Sequence, residues 1–317
     1  NKTPERLSKQ YLRRISDFQI DFWTVEEQET WVKNRFPDLA DRIATVIPED
    51  SPQRRNFGYL RALELDAERT VVIDDDNLPL LGGMAIDNWF LNHLGSAGSV
   101  AWGISSRNRF VNPCHNYTPP IYSRGYPFSE IFADTFDVSR ISDVNSTLNM
   151  GLWLEKPDVD ATFNIMYPAL LNRTHTPSYY LLSNNYIPIN TQNTSFDRKI
   201  APLFHNVAQG SIGGLPLDRF DDIWNGLFLQ RLIHRFGDHV TFGTPTIRHV
   251  RNVHDYASDL RKEFNGMVVN DWLWHLIPNL EITSKNYVDG YLEIADCLKH
   301  CAIEPVAKYL AKLAESM

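Results

Sequence analysis

Three consecutive carboxylates, Asp74, Asp75 and Asp76, follow directly on the β-branched run Val71, Val72 and Ile73. Such a run makes a buried strand, and Asn77 and Pro79 after it are expected to end regular structure. Side chains alternate along a strand end, so Asp74 and Asp76 are expected on one side and Asp75 on the other. Two carboxylates at the lip of a sheet are hard oxygen ligands for Mg²⁺ or Mn²⁺, and such an ion can in turn hold a diphosphate. Aspartate and asparagine are also ordinary turn formers, and the triplet alone leaves both readings open.

Further groups could serve the same chemistry. Arg124 is the one cation of an aromatic loop over residues 121–129, beside Gly125, which lets backbone come close. Its guanidinium can fork to phosphate oxygens, or stack on Tyr122 or Tyr126. Arg54 and Arg55 open an expected helix, where they could contact a diphosphate or form a solvated first turn. Asp158 and Asp160 sit in a Pro-bounded loop, fit either to bind a polar ligand or to make a polar turn. Asp221 and Asp222 open another helix, where acids gain only fractions of a kcal/mol from the dipole. Trp153 and Trp224 suit the core or a sugar platform. His249, after a strand and a Gly-x-Pro turn, and His254 both qualify as a metal ligand or as surface histidines.

These residues need elements to carry them. The pattern predicts helices over residues 3–14, 25–35, 54–65, 85–94 and 220–236, with helices from 255 onward, the last over 287–313. It predicts strands over 17–24, 43–47, 70–73, 99–104, 149–153, 179–187, 188–194 and 240–246. Strands separated by helices indicate right-handed βαβ units and a mostly parallel sheet flanked by helices, an α/β fold with a C-terminal helical segment. Ligands of such sheets sit beyond the carboxyl ends of the strands, where Asp74, Asp75 and Asp76 fall. A start on a helix is unusual for this architecture and suggests a missing first strand. The glycines at 82, 83, 95, 98 and 103 match no phosphate-loop spacing.

With 317 residues, 43% of them hydrophobic and 12% aromatic, the chain can bury a full core. A net charge of −8 and a pI near 5.7 argue against nucleic acid or an anionic membrane as partner. No apolar run reaches membrane-spanning length and the first ten residues are polar, so a cytoplasmic location is expected. The three cysteines, Cys114, Cys297 and Cys301, form an odd, sparse set that suits a reducing compartment. Cys297, His300 and Cys301 share one predicted helix and read as packing rather than a metal site. Asn-x-Ser/Thr at Asn116, Asn145, Asn172 and Asn193 reads as chance matches.

Seven stretches in order, from about residue 50 to residue 270, resemble the reversibly glycosylated polypeptides, or UDP-arabinopyranose mutases, of plants and their bacterial relatives. They are Arg55-Asn-Phe-Gly-Tyr59, Ile73-Asp-Asp-Asp76, Arg124-Gly-Tyr-Pro-Phe-Ser129, Gly151-Leu-Trp-Leu154 with Pro157-Asp-Val-Asp-Ala161, Asn193-Thr-Ser-Phe-Asp197, Arg219-Phe-Asp-Asp-Ile-Trp224 with Gly226, and Gly243-Thr-Pro245 with His249. The family's cysteine after the aspartates is Asn77 here, and the loop after His249 differs in length.

The resemblance implies a Rossmann-like, A-type glycosyltransferase fold over residues 1–270, with a helical extension over 271–317. It implies Asp74, Asp76 and His249 as metal ligands, with Asp75 behind them or facing the sugar, and Asp221 and Asp222 facing an acceptor hydroxyl. Arg54, Arg55, Asn193, Trp153 and Trp224 join the candidate nucleotide and sugar contacts. The implied activity is metal-dependent interconversion of pyranose and furanose forms of a UDP- or GDP-linked sugar, with Arg124, Asp158, Asp160, Asp221 and Asp222 at the reacting sugar. Some members are glycosylated on the arginine that matches Arg124, which makes transient capture there an alternative. A glycosyltransferase with an external acceptor and a non-catalytic nucleotide-sugar-binding subunit are the competing readings, and homo-oligomerisation stays open.

Overall fold

A computed structural model describes residues 21–80, 93, 101–115, 117, 121–133, 135–141, 146–167, 178–207, 210–212, 215–251 and 255–301. The helices expected over 3–14 and 85–94, the end of the one over 287–313, and His254 lie outside these residues.

The chain divides after Gly58 into two compact units. The division expected near residue 270 falls instead inside a long helix, Tyr256–Leu276.

The first unit carries helix α1 (Val25–Arg35), helix α2 (Ala40–Val46) and the start of α3 (Asn56–Glu64). Thr24 caps α1: the Glu27 amide donates to its hydroxyl at 3.2 Å, and its own amide donates to the Glu27 carboxylate at 2.7 Å. The strand expected over 17–24 is therefore absent from its described end, residues 21–24. The strand expected over 43–47 is also a helix. A β-branched run suggested extension, but Ile43 and Ile47 are four apart, and at helical spacing both pack with Val32 and Phe57.

The second unit is built on an eight-stranded sheet. Its strands are β1 (Arg69–Ile73), β2 (Asn77–Pro79), β3 (Ala101–Ser106), β4 (Phe136–Ile141), β5 (Leu148–Glu155), β6 (Tyr179–Leu181), β7 (Asn193–Asp197) and β10 (Val240–His249). The order is β1-β7-β5-β10-β6-β3-β4, with β2 also on β10. A small hairpin of β8 (Ser211–Ile212) and β9 (Leu215–Pro216) stands apart. Among the described residues the unit also carries helices α4 (Ala161–Met166), α5 (Asp221–Arg235), α6 (Tyr256–Leu276) and α7 (Tyr287–Cys301).

The sheet is mixed, which corrects the expectation of a mostly parallel one. Among the described strands only β5 with β10 and β3 with β6 run parallel; the pairs β1–β7, β5–β7, β10–β2, β10–β6 and β3–β4 are antiparallel. A parallel pair needs a crossover connection, usually a helix. Among the described residues α4 and α5 are the α-helices between successive strands, and neither separates β3 from β4 or β1 from β2. The run expected as strand over 179–187 stops at Leu181 because the chain turns, with Asn184 at φ +62 and the Asn185 amide donating to the Leu182 carbonyl at 3.0 Å.

Strand directions nevertheless place the chemistry. β1 and β5 are both antiparallel to β7, and β5 is parallel to β10, so all three end at the same edge. Beyond those ends come residues 74–76, residues 156–160 and residue 251. β10 changes neighbour along its length: residues 240–242 pair with β6, and residues 247–249 pair with β2.

α5 is the helix pressed deepest into the unit, with residues from Asp221 through Gln230 all buried. Gly226 permits this, since a Cβ there would lie 2.5 Å from Ile189 Cβ. Its apolar stripe of Ile223, Leu227, Leu232 and Ile233 joins the core with Trp153, Phe196, Phe242 and Trp274.

Candidate active site

The aspartate triplet does not prolong β1. The Asn77 amide donates to the Asp74 carbonyl at 3.1 Å, closing a turn, after which β2 begins at Asn77. Strand alternation therefore does not govern Asp74 and Asp76, and Asn77 starts a strand rather than ending structure. β2 runs back along β10 with Asn77 opposite His249, and the Val250 amide donates to the Asp76 carbonyl at 2.9 Å. Pairing brings the side chains together: His249 Nε2 lies 3.2 Å from Asp76 Oδ2.

The other imidazole nitrogen, Nδ1, is 2.8 Å from the carbonyl of Lys156, just past β5. A carbonyl only accepts, so Nδ1 carries the proton and Nε2 is aimed at the carboxylate. Burial pushes the His249 pKa down, but the hydrogen bond and charge of Asp76 prevail and hold it above the ordinary histidine value. Among the described residues no three His, Cys, Asp or Glu side chains gather closely enough to hold a metal by themselves. Asp76 and His249 thus meet directly, Asp74 is half-buried and Asp75 is exposed.

Arg124 is at the centre of the second group. Its amide donates to the Asp158 carbonyl at 2.9 Å and its Nε to Asp158 Oδ1 at 3.0 Å. Nη1 and Nη2 reach the two carboxylate oxygens of Asp222 at 3.3 and 3.2 Å, and Nη1 also donates to the carbonyl of Arg219. All three side chains are buried. Asn190 donates to Asp158 at 2.9 Å, and the Thr191 amide to Asp222 at 3.0 Å. Burial alone would lower the Arg124 pKa, but Asp158 and Asp222 carry it well above the ordinary value. Burial likewise raises Asp158, and Arg124, with Arg251 and Arg219, reverses the shift and holds it below the usual carboxylate range.

Gly125 makes the loop possible. It adopts φ +88, and a Cβ would meet Ile223 Cγ2 at 2.4 Å. The loop is tied down further by Asn270, whose Nδ2 donates to the Gly125 carbonyl at 2.9 Å.

A third set surrounds these. Arg219, at φ +67, donates from Nε to Glu263 at 2.7 Å and lies 3.7 Å from Asp259, which is also 3.7 Å from Arg251. Glu263 accepts in addition from the Ala161 amide at 2.7 Å. The sequence reading passed over Asp259, Glu263 and Asn270. Their signal was present: on α6 they fall with Gly266 at spacings of four, three and four, a polar stripe on one helix face, and all four are buried.

The remaining candidates fall elsewhere. Asp160 caps α4 through the Phe163 amide at 3.0 Å, and burial raises its pKa. Asp221, though adjacent to Asp222, takes a hydrogen bond from Asn206 at 2.6 Å. Asn193 lies within the sheet, donating to the Leu152 carbonyl at 2.9 Å and accepting from Thr246 at 2.9 Å. Trp153 is fully buried in the core, and Trp224 stacks on Phe220 with its indole N–H on Asn270. Arg54 stays within the first unit, over the Phe57 ring, and Arg55 ends a short 3₁₀ turn there.

The second unit is thus an α/β domain built on an eight-stranded mixed sheet, with a carboxylate–histidine pair and a carboxylate-clamped arginine at one edge. The family model of reversibly glycosylated polypeptides matches residues 50–317, and the chain belongs to that family. Similar proteins include UDP-arabinopyranose mutase 1 of Arabidopsis thaliana, 26% identical over 200 residues that cover 62% of this chain and 52% of that protein. Probable UDP-arabinopyranose mutase 2 of Solanum tuberosum is 28% identical over 203 residues, 62% of this chain and 51% of that protein. UDP-arabinopyranose mutase 1 of Oryza sativa subsp. japonica is 25% identical over 200 residues, with 62% and 51% covered. The chain spans about half the length of the curated relatives it matches. No helix among the described residues is long and apolar enough to cross a membrane.

Proposed function

We propose that this chain interconverts the pyranose and furanose forms of a nucleoside-diphosphate sugar, with a UDP-linked pentose the first substrate to test. The observation that carries the reading is the clamp of Asp158 and Asp222 on Arg124, beside the strand ends that also present Asp76 and His249. The A-type glycosyltransferase arrangement is part of the proposal, supported by three co-directional strands that end at this group.

Asp76 and His249 fit a divalent cation. The Lys156 carbonyl fixes the imidazole as it does for metal-bound histidines, and Nε2 and Oδ2 converge. Two protein ligands suffice for Mg²⁺ or Mn²⁺ when diphosphate and water supply the rest. Such an ion would supply charge for the departing diphosphate.

The protein's own groups account for the sugar chemistry. The bond from the anomeric carbon to the diphosphate oxygen breaks with its electron pair on the diphosphate. Asp158 and Asp222, held in place by Arg124, face the cationic sugar and stabilise it. The 4-hydroxyl then closes on the anomeric carbon and gives its proton to one of the two site carboxylates. Return of the diphosphate to the anomeric carbon breaks the original ring bond, and the proton passes to the released ring oxygen. Arg124 itself, protonated between two carboxylates, has no lone pair to offer the anomeric carbon, which argues against capture of the sugar on its guanidinium.

The test is to incubate UDP- and GDP-linked pentoses and hexoses with the chain in Mn²⁺, Mg²⁺ or EDTA and to follow the anomeric region by NMR. Cation-dependent appearance of a furanose isomer without free nucleotide is expected. Free nucleotide that appears only with an added acceptor sugar would replace the mutase by a glycosyltransferase. An Asp76→Ala variant with full turnover would remove the cation from the scheme.

A further inference from the structure

Arg251 follows β10 by two residues. Because the Val250 amide still pairs with the Asp76 carbonyl, the chain stays extended there and side chains keep alternating. Arg248 and Val250 are exposed, whereas His249 and Arg251 turn inward, the Arg251 side chain being 5% exposed. Arg251 therefore shares a face with His249, and its charge reaches Asp158, whose pKa it helps to lower.

The guanidiniums of Arg124 and Arg251 differ in what they hold. Nε, Nη1 and Nη2 of Arg124 are all engaged, on Asp158, Asp222 and the Arg219 carbonyl. Arg251 lies 3.7 Å from Asp259, a loose ion pair shared with Arg219, and packs over the Tyr256 ring at 5.4 Å. Its Nη1 is fully buried, and no acceptor among the described residues meets it. A buried guanidinium N–H without a protein acceptor has lost its hydration uncompensated and calls for a partner.

We propose that Arg251, and not Arg124, binds the diphosphate of the substrate, donating from Nη1 to a phosphate oxygen on the same side as Asp76 and His249. The assignment rests on the nucleoside-diphosphate reading given above. Arg124 has Nε, Nη1 and Nη2 all engaged by protein acceptors and is neutralised by two carboxylates, which leaves it a poor partner for a diphosphate. Arg251 adds a planar fork on the face it shares with His249, so it and the candidate cation would act on the same leaving group. Asp259 and Tyr256 then hold the fork in place.

The experiment is calorimetry of the full chain with UDP, uridine and inorganic pyrophosphate in Mn²⁺, for the wild type, Arg251→Gln and Arg251→Lys. Ligand-free melting curves serve as the folding control. Arg251→Gln is expected to weaken UDP and pyrophosphate about tenfold or more and to leave uridine unchanged. Arg251→Lys, which keeps the charge without the fork, should recover part of the loss. Equal affinity of wild type and Arg251→Gln for UDP and pyrophosphate overturns the assignment and leaves the mutase reading untouched. An equal loss of uridine binding also overturns it, since the defect would then be general. Should pyrophosphate depend on Arg251 while UDP binds no better than pyrophosphate, Arg251 keeps its phosphate and the nucleoside-diphosphate reading of the site falls.

Discussion

Arg124 and Asp158 are tied twice, by main chain and by side chain. The Arg124 amide donates to the Asp158 carbonyl at 2.9 Å while its Nε donates to the carboxylate at 3.0 Å. The loop and the end of β5 thereby share one fixed geometry, and Asp222 on α5 is held to both through the same guanidinium.

Removing the cation should be costly. Arg124→Met strands two buried carboxylates, and breaking a buried pair from one side costs about 3–5 kcal/mol. Urea unfolding should show a loss of that order, and a loss under about 1 kcal/mol would mean that the carboxylates find another counter-charge. Arg124→Lys keeps the charge without the fork and should unfold nearer the wild type while losing turnover.

Acid should act on this group with a defined sign. Asp158 has a folded pKa below its unfolded value, so its contribution is present above the ordinary aspartate pKa of about 3.9 and lost as pH falls through the folded value. Glu263 has its pKa raised, by burial first and against the pull of Arg219. Its contribution is therefore greatest below the ordinary glutamate pKa of about 4.3 and declines as pH rises through the folded value. The stability difference between wild type and Asp158→Asn should shrink on acidification, and that between wild type and Glu263→Gln should grow. Parallel curves for the two variants in urea titrations from pH 3 to pH 7 (an interval of about four units around those pKa values) would contradict both assignments.

Gly125→Ala tests the loop. A methyl group there meets Ile223 at 2.4 Å and must adopt a positive φ, a strain of about 1–3 kcal/mol before any steric relief. The expected result is a lower melting temperature together with loss of turnover, because Arg124 is the preceding residue. An alanine variant with wild-type melting and turnover would show that the backbone can relax away from α5.

Asn270→Leu isolates the support beneath the loop. Asn270 Oδ1 accepts from the indoles of Trp224 at 3.2 Å and Trp274 at 3.1 Å, while its Nδ2 holds the Gly125 carbonyl. The substitution strands both indole N–H groups, at about 1–3 kcal/mol for each buried group left unpaired. Chemical denaturation should register the loss and tryptophan fluorescence a changed environment. An unchanged midpoint would mean that water replaces the amide.

The parts legible in the sequence were those with a local cause. α1, α5, β1 and β10 were predicted to within a few residues, because capping, helical spacing or a β-branched run marks each. Asp76, His249, Arg124, Asp158 and Asp222 were singled out by motif, and the structure gathers them as one pair and one trio. What stayed hidden depends on distant chain. The antiparallel partners of β5 and β10 leave no mark on either strand. Asp222 and Asp221 read alike in sequence, yet Asp222 meets Arg124 and Asp221 meets Asn206. Asn193 looked like a polar contact for a ligand and instead joins β7 to β5 and β10 inside the sheet. Arg251 carried no motif at all; its place follows from the alternation that β2 imposes beyond the end of β10.

The return of β2 onto the far half of β10 also bears on how the protein is made. Asp76 and His249 are 173 residues apart in sequence, and the intervening chain holds β5, β7 and α5. Contacts across so long a loop form late, after nearer ones have paid the closure entropy. During synthesis the aspartate emerges long before its histidine, so a nascent chain displays half of the pair until residues 247–249 dock. The pair would then be completed in one step at the end of folding, and a fragment ending before residue 247 would lack it however well its own helices formed.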